Sequence, residues 1–153
     1  MEQKHQMATF SRHATVNWTG TLMEGKASAA AGSGAFDVPV SFPRRIGEPE
    51  GVTSPEELIA AAHATCYAMV VAGALGKANA SATKTSVTCT VTADKGDAGI
   101  KITTSRLEVT AEGLKGLDAG AFEKLAREAE GRCPVSNALR GSLAIEVVAK
   151  VSQ

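Results

Sequence analysis

The strongest constraint in the sequence is one long apolar segment, which predicts a helix from Pro55 to about Leu75. Its start is marked by Ser54-Pro55-Glu56-Glu57, which supplies a serine N-cap, a proline at the first helical position and a capping-box glutamate. Gly76 is expected to end it. At ~1.5 Å per residue this helix is about 30 Å long. Because it is apolar on nearly every face, other protein must surround it.

The rest of the chain is too short to surround this helix on all sides. The sequence has 153 residues, and we expect a single domain over 1–153. A second copy of the chain is the simplest cover, so we predict an obligate homodimer with the helix near its interface. The segment approaches the length of a membrane span, but it contains His63 and Thr65 and follows two glutamates directly. We therefore favour a buried helix over a membrane span, and we predict no membrane partner.

Charge and cysteine content exclude several classes of protein. The 16 basic and 16 acidic residues cancel, which argues against nucleic acid and anionic membrane as partners. Three cysteines are too few for a disulfide-stapled scaffold. Residues 1–10 are polar and predict no secretory signal, and residues 1–11 are expected to form a flexible tail. We therefore expect a cytoplasmic protein in a reducing environment.

The remaining segments alternate between strand and helix patterns. Strands are predicted at 12–22, 26–31, 37–42, 85–93, 100–111 and 143–151, and helices at 118–130 and from Cys133 onward. The first three strands are expected to form an antiparallel meander, and the next two a hairpin across Gly96–Gly99. Pro43–Ser54 is predicted to be a loop, because proline and glycine recur in it. Strands, helix, strands, helix and strand in this order are typical of the α+β class.

The three cysteines differ in how well their surroundings suit chemistry. A free thiol has a pKa of about 8.5, so a reactive cysteine needs a cation, a helix terminus or a base beside it. Cys89 alternates with valines in a strand and is expected to be a small core residue. Cys66 lies in the central helix, and Cys133 is the predicted N-cap of a helix whose positive end favours a thiolate. Cys66 and Cys133 form either a redox pair or two packed side chains.

Two other residues of the central helix are candidates for chemistry. Glu56 precedes Cys66 by ten residues, which places it about 15 Å away along the helix axis. It therefore reaches a cysteine only from the partner helix of a dimer. His63 lies one turn before Cys66, where we favour a hydrogen-bonded interface histidine over a catalytic base. The histidines and cysteines show no paired ligand spacing, so we predict neither a metal nor a bound cofactor.

Two motifs resemble a known family. The segment from Ser54 through Met69 is similar to the central helix of the osmotically inducible protein C (OsmC) family, and Arg132-Cys133-Pro134-Val135-Ser136 resembles its second cysteine motif. Similarity continues through Trp18-Thr19-Gly20, the Gly25-Lys26 turn and residues 94–103. The motif containing His63 fits the OsmC branch better than the organic hydroperoxide resistance branch.

The resemblance implies a thiol peroxidase that reduces organic hydroperoxides in oxidative and osmotic stress defence, as an intertwined homodimer. By motif matching, Cys66 is the peroxidatic cysteine, Cys133 the resolving cysteine and Glu56 the active-site glutamate. The family also uses an arginine in the loop before the central helix. Arg45 fits that position best, and Arg44 is the alternative because the loop is one residue longer than usual. The family points to an external dithiol reductant of the lipoyl type.

The chemistry of these side chains agrees with the implied roles. Arg45 would lower the pKa of Cys66 and polarise the peroxide, and Glu56 would orient the guanidinium. Two other functions use the same residues: a non-enzymatic redox sensor or binding protein that switches through the disulfide, and a structural or ligand-binding dimer whose cysteines are relics. Turnover of cumene hydroperoxide with a dithiol separates the peroxidase from both.

Overall fold

The computed structural model describes residues 7–152. It consists of two compact units, an N-terminal unit that ends at Ser54 and a C-terminal unit that begins at Pro55. The single domain expected over 1–153 stays a prediction. Of the predicted tail, residues 1–6 lie outside the described part, and residues 7–11 are exposed and have no regular secondary structure.

The N-terminal unit is built on the predicted antiparallel meander. Its strands are β1 (Ala14–Thr19), β2 (Lys26–Ala31) and β3 (Asp37–Val40), and they pair in the order β1-β2-β3. The loop prediction for Pro43–Ser54 is wrong at its start, where Phe42–Ile46 forms helix α1. Pro43 permits this because a proline in the first turn of a helix gives up an N–H that has no partner within the helix.

The central helix α2 spans Pro55–Lys77, so its start is as predicted and its end lies two residues later. Gly76 is tolerated inside the last turn instead of ending the helix. The helix is buried along one stripe: His63, Tyr67, Val71, Ala74 and Leu75. Its opposite face is open in the single chain, where Met69 is 70% exposed. The prediction of a buried helix is therefore confirmed for one face only.

By length and composition alone α2 also qualifies as a membrane span. Its inward stripe, however, packs into a protein core that contains the fully buried His63 and Tyr67. The Tyr67 hydroxyl donates a 2.7 Å hydrogen bond to the Ala126 carbonyl. Core packing with polar contacts of this kind is typical of the central helix of a globular unit.

The C-terminal unit places helices against a second sheet. The hairpin β4 (Lys84–Gly96) and β5 (Gly99–Glu112) is antiparallel, as predicted, whereas β6 (Ala144–Ser152) pairs with β5 in parallel. Helices α3 (Ala119–Glu130) and α4 (Pro134–Leu139) connect β5 to β6. Asp118 caps α3, as predicted, by accepting a 2.8 Å hydrogen bond from the Ala121 N–H. The α+β class is confirmed.

The core of this unit lies between the helices and the sheet. It contains the stripe of α2 except His63 and Ala74, the inward residues of β5, and one side of α3: Tyr67, Val71, Leu75, Leu107, Val109, Ala111, Phe122, Ala126 and Ala129. Cys133 belongs to the same cluster, and Cys66 packs against its edge. Fully burying one Phe or Leu side chain contributes about 1.5–3 kcal/mol, so this core gives the two cysteines a rigid support.

Candidate active site

Cys66 lies at the edge of the core, on the flank of the buried stripe of α2. It follows His63 by one turn and immediately precedes Tyr67, both of which are buried. Cys66 itself is partly exposed and is a free thiol. Its sulfur is therefore within reach of a small molecule from solvent.

Cys133 has the opposite environment, because it is fully buried. It is the N-cap of α4, as predicted, with Pro134 in the first turn of the helix. The Cys133 Sγ accepts a hydrogen bond from the Ser136 N–H at 3.5 Å. The backbone at the start of α4 thus fixes the orientation of this sulfur.

The two thiols lie near each other where α2 packs against α4. Cys66 packs against the core cluster that contains Cys133, and both the Cys133 thiol and the Val135 N–H act on the pKa of Cys66. Both cysteines are reduced in this structure. A disulfide forms between cysteines whose Cβ atoms lie about 3.5–4.5 Å apart. The redox pair of Cys66 and Cys133 stays a prediction.

The local environment of Cys66 does not by itself favour a thiolate. Burial is the main effect and raises the pKa of the Cys66 thiol, because a low-dielectric environment disfavours the charged form. The Val135 N–H lowers this pKa, and the neighbouring Cys133 raises it. A reactive Cys66 thiolate at neutral pH therefore requires further stabilisation by positive charge.

The charged residues expected in the site are placed in different parts of the chain. Glu56 is in the first turn of α2, about 15 Å along the helix axis from Cys66. Within one chain it does not join the thiols. Arg45 lies in α1 of the N-terminal unit, whereas both thiols belong to the C-terminal unit.

Arg44, the alternative to Arg45, interacts with the loop that follows α1. It forms a 2.6 Å ion pair with Glu50 and donates a 3.2 Å hydrogen bond to the Glu48 carbonyl. Both charged groups of the pair are well exposed, so it adds little to stability. These contacts hold Arg44 within its own loop.

His63 lies in the core of the C-terminal unit, and its expected place at a dimer interface stays a prediction. It is fully buried, and its two ring nitrogens bond to two serine hydroxyls: Nδ1 to Ser105 Oγ and Nε2 to Ser136 Oγ, both at 2.6 Å. Burial lowers the pKa of His63, with Glu130 opposing this shift. The ring is therefore uncharged at neutral pH. The expectation that its hydrogen bonds are satisfied is confirmed.

Sequence reasoning missed the serines of this network and the position of Cys89 beside them. Cys89 lies in β4, as expected, but it is half-buried at the side of the core, and its Sγ lies 3.1 Å from Ser105 Oγ and 3.8 Å from His63 Nδ1. One signal was available for Ser105: it occupies the apolar face of β5, two residues before the buried Leu107. A polar residue on such a face needs a buried partner.

Comparisons with known proteins identify the family. A family model described as OsmC-like protein matches residues 47–148. Peroxiredoxin OsmC of Escherichia coli strain K12 is 34% identical over 139 residues, which cover 90% of this chain and 96% of that protein. The chain belongs to the OsmC family. Peroxiredoxin OsmC of Shigella flexneri matches with the same identity and coverage.

Solved structures show the OsmC fold as well. An organic hydroperoxide resistance protein OsmC from Legionella pneumophila superposes with a TM-score of 0.72 at 24% identity, covering 96% of this chain and all of that one. An OsmC-like protein from Mycoplasma pneumoniae gives a TM-score of 0.73 at 14% identity, covering 95% of this chain and all of that one. The OsmC-like fold predicted from the two motifs is thereby confirmed. Among residues 7–152 no cluster of three His, Cys, Asp or Glu side chains is placed to hold a metal ion.

Proposed function

We propose that this OsmC-family protein is a cysteine-based peroxidase that reduces organic hydroperoxides to alcohols. The observation that carries the proposal is that the partly exposed Cys66 packs against the core cluster that contains the buried Cys133, whose thiol influences the pKa of Cys66. It is supported by the names of relatives: peroxiredoxin for the protein from E. coli, and organic hydroperoxide resistance protein for those from L. pneumophila and Bacillus subtilis. Oxidative and osmotic stress defence in the cytoplasm is the setting that we propose.

The reaction divides between the two thiols. The Cys66 thiolate attacks the terminal oxygen of the hydroperoxide, the O–O bond breaks, and the alkoxide takes up a proton to leave as the alcohol. Cys66 is then a sulfenic acid. The Cys133 sulfur attacks it, water leaves, and a disulfide forms. An external dithiol, for which we propose a lipoyl group, reopens the disulfide by exchange and restores both thiols.

The proposed charge for the thiolate comes from Arg45. Because burial raises the pKa of Cys66, a cation beside the sulfur is needed to populate the thiolate at neutral pH. Arg45 would supply it and polarise the peroxide oxygen. Glu56 is too far along α2 to assist the Cys66 of its own chain, so we propose that Glu56 of the partner subunit orients the guanidinium.

The proposed assembly is an intertwined homodimer. The open face of α2 carries small or apolar residues with one threonine: Ala62, Thr65, Met69, Ala72, Gly73 and Gly76. The N-terminal sheet also leaves apolar side chains open, including Val16 and Trp18. A second copy of the chain would cover both faces. Sedimentation should show no compact monomer at micromolar concentration, and a stable monomer would contradict this assembly.

A turnover assay tests the function directly. With excess dihydrolipoamide, the protein should consume many equivalents of cumene hydroperoxide and should use hydrogen peroxide less well, because Ala, Leu, Met and Val dominate α2. Oxidation that stops at one equivalent despite excess dithiol would instead indicate a redox sensor. If Cys66 is not oxidised at all, the result would instead support a structural or ligand-binding dimer.

A further inference from the structure

A buried polar network joins the centre of α2 to the first turn of α4. His63 is its middle member, with Ser105 of β5 on one side of the ring and Ser136 of α4 on the other. Both bonds measure 2.6 Å, and all three side chains are fully buried. Buried polar groups with short, complete hydrogen bonds hold the elements that carry them in one arrangement. The ring therefore ties α4 to the core.

The anchored turn of α4 is also the turn that contacts both thiols. Ser136 bonds to His63 through its hydroxyl, and its own N–H donates to the Cys133 Sγ. The preceding residue is Val135, whose N–H lowers the pKa of Cys66. The ring of His63 thus acts on the two sulfurs through a single residue and its neighbour.

An uncharged ring suits this position. Neutral imidazole has one donor and one acceptor nitrogen, so one serine hydroxyl accepts from the ring and the other donates to it. The titratable groups that act on the ring are Cys89 on β4, whose Sγ lies 3.8 Å from Nδ1, and Glu130 at the end of α3, whose charge opposes the effect of burial. The Glu130 carboxylate is paired with Arg140 at 2.8 Å.

We propose that His63 is a positioning residue for the thiol pair: through Ser136 it fixes the first turn of α4, and so holds the Ser136 N–H on the Cys133 sulfur and the position of Val135 relative to Cys66. The inference rests on the proposed function, because that function gives a reason to position the thiols. The contacts from which it is argued, however, are those of the protein with free thiols alone. His63 touches neither sulfur of the pair in this role and transfers no proton.

The two serines provide a matched comparison. Ser105→Ala and Ser136→Ala each remove one buried hydroxyl and one bond to the same ring, so similar losses of stability are expected. Only Ser136 lies in the turn that contacts the thiols. Ser105 lies on the side of the ring that faces Cys89. A merely structural network would respond equally to both changes.

The experiment is the rate of Cys66 alkylation by iodoacetamide in the reduced protein, followed by peptide mass spectrometry across pH. Ser136→Ala should slow alkylation at pH 7 by roughly five- to tenfold and move the pH midpoint upward, because a loosened Val135 N–H stabilises the thiolate less. Ser105→Ala should change the rate less than twofold. Equal effects of the two changes, or no effect of Ser136→Ala, would overturn the proposal.

Substitution of the ring itself gives a second comparison. The amide of glutamine reaches the position of Nε2, and that of asparagine the position of Nδ1. His63→Gln should therefore retain most of the wild-type alkylation rate, whereas His63→Asn should resemble Ser136→Ala. The reverse order would contradict the proposal. These experiments use no peroxide, so the alkylation rate of Cys66 can be measured even if the protein has no peroxidase activity. Failure of the proposed function is therefore distinguishable from failure of this inference.

Discussion

The two units of the chain differ in how they bury their sheets. In the C-terminal unit the inward residues of β5 are almost completely covered, and Val109 is 1% exposed. In the N-terminal unit every residue of β1 is exposed, and Val16 is 55% exposed. Three short strands with no packed layer are marginal in water. The two thiols therefore belong to the unit that has its own hydrophobic core. Arg45 belongs to the unit whose sheet leaves apolar side chains exposed in the single chain.

The largest expected effect is in the C-terminal unit. Cys66→Ser should abolish peroxide consumption, because a serine hydroxyl provides no accessible anion at neutral pH. Cys89→Ser is the matched control, since it changes another partly buried thiol of the same unit; it should leave the kinetics nearly unchanged and cost at most some stability. Stopped-flow measurement of peroxide loss checks both. If Cys89→Ser were inactive and Cys66→Ser active, the reactive thiol would be Cys89 and the proposed role of Cys66 would be wrong.

Removal of the buried thiol should have a smaller and different effect. Cys133→Ser should complete one rapid turnover and then stall, since the sulfenic acid on Cys66 has no internal thiol to condense with. Excess peroxide should then convert Cys66 to the sulfinic acid, visible in the intact mass as a gain of two oxygen atoms. If Cys66 stays unoxidised in this variant, the division of roles between exposed and buried thiol is wrong.

One pair of identical substitutions compares the two sheets directly. Val109→Ala should cost roughly 2–3 kcal/mol of unfolding free energy, because it leaves a cavity in a closed core. Val16→Ala should cost about 1 kcal/mol, less than Val109→Ala but more than its exposure in a single chain predicts, because the second copy in the proposed homodimer would cover β1. Denaturant unfolding measures both. A cost near zero for Val16→Ala would mean that the N-terminal sheet faces solvent in the native assembly.

The smallest expected effect tests whether the N-terminal unit contributes to the chemistry. Arg45→Ala should raise the Cys66 pKa and slow its alkylation near neutral pH by roughly tenfold, with the fold retained. Arg44→Ala is the matched control and should change the rate little, because Arg44 pairs with Glu50 in its own loop. If Arg44→Ala has the larger effect and Arg45→Ala has none, the assignment of the arginine is wrong by one position.

Much of the fold was predictable because its signals are local. The Ser54-Pro55 start of α2, the Asp118 cap and the hairpin across Gly96–Gly99 each depend on a few neighbouring residues, and all three elements begin or turn where expected. Proline gave the less reliable signal. Pro43 predicted a loop, but proline in a first turn is equally compatible with a short helix, which is what forms.

The sequence by itself also determined which residues are candidates for chemistry, since Cys66 and Cys133 stand in motifs that resemble those of one family. Only the tertiary structure decided that Cys66 packs against the core cluster that contains Cys133, that β6 runs parallel to β5, and that His63 bonds to Ser105 and Ser136 inside the core. These contacts join residues far apart in the chain. Periodicity and capping report on a residue's neighbours in sequence, whereas the partners of a buried polar side chain are set by the packing of whole helices and strands.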